Sequence, residues 1–357
     1  MIEFKDVSFT YDSGNKNAGI HNINLNINAG EVVVFCGESG CGKTTISRLI
    51  NGLIPGYYSG NLTGRVIVKG HEISKNSINE LSQYVGSVFQ NPRTQFFNVD
   101  STSEIAFACE NFGIPREEIC KRIGKVTKEL NIKNLLDKSL FSMSGGEKQK
   151  IACASAAAME PEIYVLDEPS SNLDIQTIKM LKDIIKKWKE KKLSVVIAEH
   201  RLQYLIDVAD RFIYMKDGKI NKEFSCVEFK KLPNSILNNM GLRSIHPIDT
   251  NNRMKNIESK EQIEIKDFMF SYGKEPFFEI HDAVLPQKSI VAVLGNNGSG
   301  KSTFSKCLCG VEEKAKRTLK KTSKFGKEIM ELFVLCLQSK ADFCPANCKS
   351  AESSYET

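Results

Sequence analysis

The chain has 357 residues, of which 41% are hydrophobic and 26% are charged, a length that predicts two domains and a composition that excludes a disordered, collagenous or coiled-coil protein. Its net charge of +6 comes from basic residues that are spread along the chain, so nucleic acid is not an expected partner. No apolar stretch reaches the roughly 18–20 residues of a membrane helix. No secretory signal is recognisable at the N-terminus, so we expect a cytoplasmic protein. Its eleven cysteines are then expected to be reduced thiols.

The opening segment of the chain recurs in its second half. Residues 2–6 read IEFKD and residues 263–267 read IEIKD, and a tyrosine follows each, Tyr11 in the first copy and Tyr272 in the second. In both copies an apolar strand then leads into a glycine-rich loop. Such a repeat predicts two domains that begin alike. We expect the first domain at residues 1–225, a linker at 226–262 and the second domain at 263–357.

Both glycine-rich loops fit the pattern GxxxxGK[ST], as GESGCGKT at residues 37–44 and GNNGSGKS at residues 295–302. Each loop lies between a β-branched strand and a helix-prone run, the context in which this pattern binds nucleotide phosphates. Glycines let successive backbone N–H groups converge on phosphate oxygens, the lysine reaches the β and γ phosphates, and the hydroxyl of Thr44 would bind Mg²⁺. The residues expected to hold the nucleotide are Gly37, Gly40, Gly42, Lys43, Thr44 and Thr45 in the first copy, and Gly295, Gly298, Gly300, Lys301 and Ser302 in the second.

A second candidate anion site follows at residues 142–149, which read SMSGGEKQ and precede a helix-prone run. Ser144 and the backbone amides of Gly145 and Gly146 would lie at a helix N-terminus, where anions bind. A single P-loop fold does not need such a site for its own nucleotide. We therefore expect the phosphate to come from another molecule, which implies a dimer.

Two adjacent carboxylates end the apolar strand at residues 163–167. Asp167 suits a residue that holds the metal through water or through Thr44. Glu168, the next residue, could orient or deprotonate the attacking water as a general base. The alternative is a pair of acids that merely opens a surface turn before Pro169.

Taken together, these motifs resemble those of ATP-binding cassette (ABC) proteins, in which the SGG signature of one cassette closes over the nucleotide held by the P-loop of another. The resemblance covers about residues 1–225. It implies an α/β fold, a P-loop NTPase nucleotide-binding domain of the ABC type with a helical signature subdomain, followed by an incomplete second copy. It also implies that ATP and Mg²⁺ are the cofactors and that the chain is an ATPase.

The same resemblance implies roles for four further residues. Tyr11 would stack on adenine, and Gln90 would sense Mg²⁺ and the attacking water and link to membrane helices. Asp174 would make a contact across the dimer, and His200 would contact the γ phosphate. The bland alternatives are a strand-core aromatic for Tyr11, an ordinary loop residue for Gln90 and a structural histidine at position 200. The catalytic candidates are Glu168, His200 and Gln90, and the metal candidates are Thr44, Gln90 and Asp167, partly through water.

Residues 90–97 (QNPRTQFF) and 198–202 (AEHRL) are similar to the cassettes of energy-coupling-factor importers, which take up vitamins or transition-metal ions. This likeness implies a peripheral protein on the cytoplasmic side of the cell membrane. Its partners would be integral-membrane transporter subunits and a second ABC ATPase, either another copy of this chain or a complete paralogue. The alternatives are a soluble tandem ABC ATPase that acts on ribosomes or DNA, and an inactive truncated remnant.

The second copy loses the pattern after Lys301, because no SGG signature, no Asp-Glu strand end and no counterpart of His200 follow. Gln338 is the candidate counterpart of Gln90, but it lies closer to its lysine than Gln90 does to Lys43. A cysteine cluster has no CxxC pair or histidine to complete a zinc site. Its members are Cys336, Cys344 and Cys348. We hypothesise that an ancestral chain held two full cassettes and that a frame change near residues 315–335 produced an atypical tail from about residue 315.

Overall fold

The structure, a computed structural model, describes residues 1–12, 19–171, 173–246, 262–272, 277–286 and 299–308, together with Val291, Val293 and Gly295. The chain divides into two compact units, Met1–Asp249 and Thr250–Thr357. Within the described residues, no helix combines the length and the apolar character that a membrane crossing requires.

In the first unit the described residues form ten strands and nine helices, besides short 3-10 turns. The strands are β1 (Ile2–Tyr11), β2 (Gly19–Ile27), β3 (Val32–Cys36), β4 (Gly60–Val68), β5 (His71–Glu72), β6 (Val85–Val88), β7 (Ile163–Asp167), β8 (Ser194–Ala198), β9 (Arg211–Lys216) and β10 (Lys219–Ser225). The helices are α1 (Lys43–Ile50), α2 (Leu53–Gly56), α3 (Ile78–Leu81), α4 (Ser101–Asn111), α5 (Arg116–Leu130), α6 (Gly145–Ala158), α7 (Ile175–Glu190), α8 (Cys226–Lys230) and α9 (Asn234–Asn239).

The strands build two sheets. One is antiparallel, in the order β2-β1-β4-β5, and the other has the order β10-β9-β3-β8-β7-β6. Strands β3, β8, β7 and β6 run parallel to one another. Every residue of β3 and β8 is buried, as expected for parallel strands that are covered on both faces. Because parallel strands end at the same edge of a sheet, the loops that follow these four strands meet there, where ligands of such sheets bind.

Two apolar clusters hold the unit together. In one, which includes residues of β7, α6 and α7, the rings of Tyr164 and Trp188 stack with their centroids 3.8 Å apart. The other joins the antiparallel sheet and α1 to the opposite face of the six-stranded sheet. Phe4, Phe9 and Phe35 are fully or almost fully buried in it. The parallel sheet is thus fixed from both sides, which keeps its loop edge in a defined shape.

Helices α8 and α9 extend this unit to Asp249, beyond the boundary expected at residue 225. The ring of Phe229 on α8 stacks on that of Phe212 on β9, with centroids 4.1 Å apart, and Leu237 on α9 is fully buried. Gly241 follows α9 with a left-handed backbone (φ 67°), and a Cβ built there would lie 2.3 Å from Oε1 of Glu38. The segment that the sequence analysis assigns to the start of the linker therefore packs against the first unit and approaches its glycine-rich loop.

We expect Phe229→Ala to lower the free energy of unfolding by about 3–5 kcal/mol, because it removes a fully buried ring and leaves a cavity against Phe212. Urea unfolding followed by circular dichroism would measure the loss. Val227→Ala on the same helix is the matched control, since Val227 is 63% exposed, and it should change the free energy by about 0.5 kcal/mol or less. An equal effect of the two substitutions would contradict the packing described for α8.

The second unit contains β11 (Gln262–Phe270), β12 (Phe278–Pro286) and α10 (Lys301–Leu308) among its described residues. Strands β11 and β12 pair antiparallel, as β1 and β2 do, and α10 follows the second glycine-rich loop as α1 follows the first. Phe268, Phe270 and Leu308 are buried in a small apolar cluster. Five positions named from the sequence, together with the tail expected from about residue 315, lie outside the described residues. They are Gly298, Cys336, Gln338, Cys344 and Cys348.

Candidate active site

The first glycine-rich loop joins β3 to α1 through backbone shapes that need glycine. Gly40 and Gly42 have φ angles of 81° and 105°, in the left-handed region that side chains with a Cβ avoid. A Cβ at Gly42 would also lie 2.7 Å from Cγ2 of Ile20. The loop therefore packs against β2, and its backbone N–H groups lie at the N-terminus of α1, where an anion is stabilised.

Lys43 and Thr44 begin α1 and point to different parts of the site. The Lys43 ammonium donates to the carbonyls of Gly37 and Glu38, both at 2.9 Å, and its side chain is buried. The Thr44 hydroxyl donates to Oδ1 of Asp167 at 3.1 Å. Two of the three metal candidates, Thr44 and Asp167, therefore meet where the loops after β3 and β7 come together.

Glu168 is the meeting point of three strand-end loops. Its own backbone is left-handed (φ 43°), and its N–H donates to the carbonyl of Ala198 at 2.8 Å. Gln90, after β6, donates from Nε2 to Oε2 of Glu168 at 2.8 Å. His200, after β8, places Nε2 3.2 Å from Oε1 of the same carboxylate. All three catalytic candidates from the sequence are thus in direct contact, although 78 positions separate Gln90 from Glu168.

The two adjacent carboxylates have pKa values shifted in opposite directions. Burial raises the pKa of Asp167, an effect that the hydrogen bond from Thr44 opposes. The hydrogen bond from His200 lowers the pKa of Glu168, against a smaller opposing effect of burial. Glu168 is therefore ionised at neutral pH and able to accept a proton, as a general base must.

We expect His200→Ala to raise the pKa of Glu168. The substitution removes the hydrogen bond that lowers this pKa and leaves burial, which raises it, so the carboxylate should titrate at a higher pH than in the unsubstituted protein. Side-chain ¹³C NMR of the carboxyl groups, with Glu168→Gln used to assign the signal, would measure the shift. His71→Ala is the control, because it removes a histidine that stacks on Tyr84 and makes no hydrogen bond to Glu168 among the described contacts. A pKa of Glu168 that is unchanged or lower in the His200 variant would contradict the hydrogen bond.

Tyr11 lies at the side of α1 in a polar contact that the sequence did not suggest. Its hydroxyl is 3.2 Å from Oγ1 of Thr45 and accepts a hydrogen bond from Nη1 of Arg48 at 3.0 Å. The guanidinium of Arg48 also lies 3.9 Å from the ring centroid of Tyr58, a cation–π contact. The sequence motifs do not indicate Arg48, because nothing but its place one turn after Thr44 marks it, yet it contacts both Tyr11 and Tyr58.

The second unit repeats two of these contacts. Lys301 donates to the carbonyl of Gly295 at 2.9 Å, the distance found between Lys43 and Gly37. The Tyr272 hydroxyl lies 3.2 Å from Oγ1 of Thr303, as Tyr11 does from Thr45. Gly300 has a φ of 89° at the head of α10, which begins with Lys301 and Ser302.

The predicted second anion site lies at the start of α6. Ser144 caps this helix with a reciprocal pair of hydrogen bonds, from its own N–H to Oε2 of Glu147 at 2.8 Å and from the Glu147 N–H to its hydroxyl at 3.3 Å. Gly145 is exposed and Gly146 is buried. Among the described residues, no hydrogen bond or ion pair joins Ser144 to the glycine-rich loop of its own unit.

Asp174 caps the neighbouring helix α7 and accepts the N–H of Thr177 at 2.9 Å. A Cβ on Gly146 would lie 2.5 Å from Oγ1 of the same Thr177. The starts of α6 and α7 are therefore in contact, with their N-terminal ends side by side.

A cavity of about 660 Å³ opens beside Thr44, Asp167 and Gln90. Its lining is mixed but includes the aromatic rings of Tyr57 and Phe97, which are 73% and 76% exposed. Exposed aromatic rings of this kind are typical of surfaces that bind another protein.

The polar groups around Thr44 fit a magnesium ion only together with phosphate. Mg²⁺ prefers oxygen ligands and is usually held by one or two carboxylates plus substrate phosphates. The Thr44 hydroxyl, the Asp167 carboxylate and the Gln90 amide are suitable donors. In the described part of the chain, no group of three or more His, Cys, Asp or Glu residues forms a metal site of its own. These residues therefore suit an ion that arrives with a nucleotide.

A sequence profile of the ABC transporter family matches residues 20–171 and 278–333. Two proteins of Treponema denticola, named as ABC transporter ATP-binding proteins, are 44% and 39% identical to this chain over 88% and 89% of its length. A protein of Clostridium perfringens with the same description is 34% identical over 88% of the chain. The chain spans about two thirds of the length of these relatives, 66%, 66% and 62%.

Solved structures with a similar fold include cbiO1 from Clostridium perfringens, described as part of the ABC transporter complex cbiONQ. It is 27% identical with a TM-score of 0.58, and the match covers 68% of this chain and 94% of cbiO1. The ATP-binding cassette MJ0796, in a dimeric post-hydrolysis state with ADP and Pi, is also 27% identical with a TM-score of 0.56 over 63% of this chain and 99% of that one.

Proposed function

This chain belongs to the ABC transporter family, and on that premise we propose that it is the ATP-hydrolysing subunit of a membrane importer of the energy-coupling-factor type, for a vitamin or a metal ion. It would lie on the cytoplasmic side of the cell membrane, bound to integral-membrane subunits. The observation that carries the catalytic part of the proposal is the convergence of Gln90 and His200 on the two oxygens of Glu168.

In the proposed reaction the first glycine-rich loop holds ATP, with Lys43 close to the β and γ phosphates and Thr44 and Asp167 positioned for Mg²⁺. When bound, Mg²⁺ would neutralise charge on these phosphates. Glu168 accepts a proton from the water that attacks the γ phosphate, since its low pKa keeps it ionised. Gln90 and His200 hold this carboxylate in place from either side, and Tyr11 receives the adenine ring.

Completion of the site would need a second cassette. Among the described residues, no hydrogen bond or ion pair joins Ser144 to the first glycine-rich loop. We propose that Ser144 and the amides of Gly145 and Gly146 bind the γ phosphate of a nucleotide held by a partner. The partner is another copy of this chain or a complete paralogue. The solved cassette MJ0796 is a dimer with ADP and Pi, which supports this arrangement by analogy.

The transport part of the proposal is supported by the cavity beside Gln90, whose lining includes two exposed aromatic rings. A membrane subunit that inserts a helix there would contact Gln90 directly and could be moved when Glu168 and its neighbours rearrange. The similarity to cbiO1, part of a transporter complex, and the segment QNPRTQFF at residues 90–97 favour an importer of the energy-coupling-factor type.

The test is isolation of the protein from its native membrane in mild detergent, with mass spectrometry of what accompanies it and an ATPase assay of the product. We expect a hydrophobic subunit to co-purify and ATP to be hydrolysed. Co-purification with ribosomes would favour the soluble tandem ATPase instead. Absence of any ATPase activity would overturn the proposed function.

A further inference from the structure

Glu199 is a buried carboxylate that the proposed reaction does not use. It follows β8 directly, its side chain lies inside the unit, and the residue is 1% exposed. Its own N–H donates to the carbonyl of Phe35 at the end of β3, at 3.1 Å. A buried charge of this kind is costly unless it is fully hydrogen-bonded, so the donors around it matter.

Each oxygen of this carboxylate accepts two hydrogen bonds. Oε1 receives the backbone N–H groups of His200 at 2.7 Å and Arg201 at 3.0 Å. Oε2 receives the N–H of Ser170 at 3.3 Å and the hydroxyl of Tyr204 at 3.0 Å. One carboxylate therefore links the backbone of His200 to the loop that follows the Asp167–Glu168 pair.

The hydroxyl of Tyr204 is held as a donor in this arrangement. Burial, followed by the nearby charge of Glu199, raises the pKa of Tyr204 well above its ordinary value. The phenol is therefore neutral at any physiological pH and keeps its hydrogen for Oε2.

We propose that Glu199 is a positioning residue for ATP hydrolysis: its carboxylate fixes the backbone of His200 relative to the Glu168 loop, so that the imidazole reaches Oε1 of Glu168. The inference rests on the proposed function and extends it, since Glu199 touches neither nucleotide nor water. The geometry supplies the reason. His200 and Glu168 lie on loops that follow different strands, and within the described residues Glu199 is the side chain that hydrogen-bonds to the backbone of both loops.

The first test is Glu199→Gln, which keeps the shape but turns one oxygen into an NH₂ group. In one orientation the NH₂ group faces the backbone N–H groups of His200 and Arg201. In the other it faces the N–H of Ser170, while the Tyr204 hydroxyl can turn to accept from it. Either way, at least one backbone N–H loses its acceptor. We expect kcat to fall between about tenfold and a hundredfold, the cost of displacing a catalytic group by about 1 Å, with KM for ATP little changed because the glycine-rich loop is not involved.

The decisive measurement combines this variant with His200→Ala under single-turnover conditions. If Glu199 acts through His200, the double variant should be no slower than His200→Ala alone. Tyr204→Phe, which removes one donor and keeps the ring, should cause a smaller loss that also disappears in the His200→Ala background. This milder variant keeps the test available should Glu199→Gln fold poorly.

Glu104→Gln is the matched control. Glu104 is 2% exposed and accepts the N–H groups of Phe97 and Asn98 at 3.0 and 2.8 Å, so the substitution makes the same chemical change in another buried carboxylate. Thermal unfolding would compare the stability of the Glu199→Gln and Glu104→Gln variants. The effect of Glu104→Gln on kcat, whatever its size, should multiply with that of His200→Ala.

Two results would overturn the inference alone: an active wild type in which Glu199→Gln leaves kcat within about twofold, or losses from Glu199→Gln and His200→Ala that multiply. A wild-type protein without ATPase activity would overturn the proposed function and this inference together. The ATPase assay of the wild-type protein therefore shows whether the proposed function or only this inference has failed.

Discussion

Replacement of Glu168 by glutamine is expected to lower ATP turnover by a factor of about 10²–10⁴, the usual contribution of a general base, while ATP stays bound. The amide keeps the size of the side chain but cannot accept a proton from water. It can still meet Gln90 and His200, which contact the two oxygens of the carboxylate. Phosphate release should therefore stop in a protein that still binds nucleotide.

Glu162→Gln makes a suitable control for this variant. Glu162 precedes β7, at the end of the strand opposite to Glu168, and its exposed side chain pairs with Lys69. Turnover by phosphate release and ATP affinity by fluorescence titration would be compared in the two variants. Unchanged turnover in Glu168→Gln would show that another group accepts the proton.

Replacement of Ser144 by arginine is expected to lower turnover about a hundredfold or more, the scale on which loss of an anion-stabilising donor acts. The arginine removes the hydroxyl at the start of α6 and occupies the exposed space in front of the Gly145 amide. ATP affinity should be retained, because no described hydrogen bond or ion pair links Ser144 to the glycine-rich loop of its own unit. Turnover and nucleotide affinity would be measured side by side.

Ser77→Arg provides the same chemical change elsewhere. Ser77 is exposed and caps α3 with the same reciprocal hydrogen bonds, here with Glu80. Both substitutions should cost about 1 kcal/mol of stability as lost caps, but only Ser144→Arg should stop turnover. Equal loss of activity in the two variants would reduce the effect to helix stability.

Mixing the two inactive variants tests the pairing itself. In a dimer of this chain, Glu168 of the Ser144→Arg copy would face the intact Ser144 of the Glu168→Gln copy, and that one composite site would contain every proposed group. We therefore expect the mixture to recover activity that neither variant has alone. No recovery would exclude pairing between copies of this chain and leave a complete paralogue as the partner.

The fold class predicted from the sequence is confirmed by the family match and by the similar solved cassettes. The fold class was predictable because glycine-rich loops and apolar strand ends are local patterns, set by residues that are adjacent in the sequence. The meeting of Gln90, Glu168 and His200 also follows from local patterns, since each comes after a parallel strand. Their catalytic roles remain predictions.

Arg48 and Glu199 could not be found in this way. Each is an ordinary charged residue whose importance comes from partners brought close by the fold: Tyr11 lies 37 positions from Arg48, and Ser170 lies 29 positions from Glu199. The packing of α8 and α9 was hidden for a similar reason, because the short polar segments around Phe229 and Leu237 look like a linker when their burial is unknown. The family profile also reaches residue 333, past the position from which an atypical tail was expected.

The close approach of Gly146 to Thr177 brings the starts of α6 and α7 together. A methyl group built on Gly146 would lie 2.5 Å from the Thr177 hydroxyl, so the start of α6 packs directly on the first turn of α7 at this point. Ser144 and Asp174, which cap these two helices, therefore lie close together on the surface of the unit.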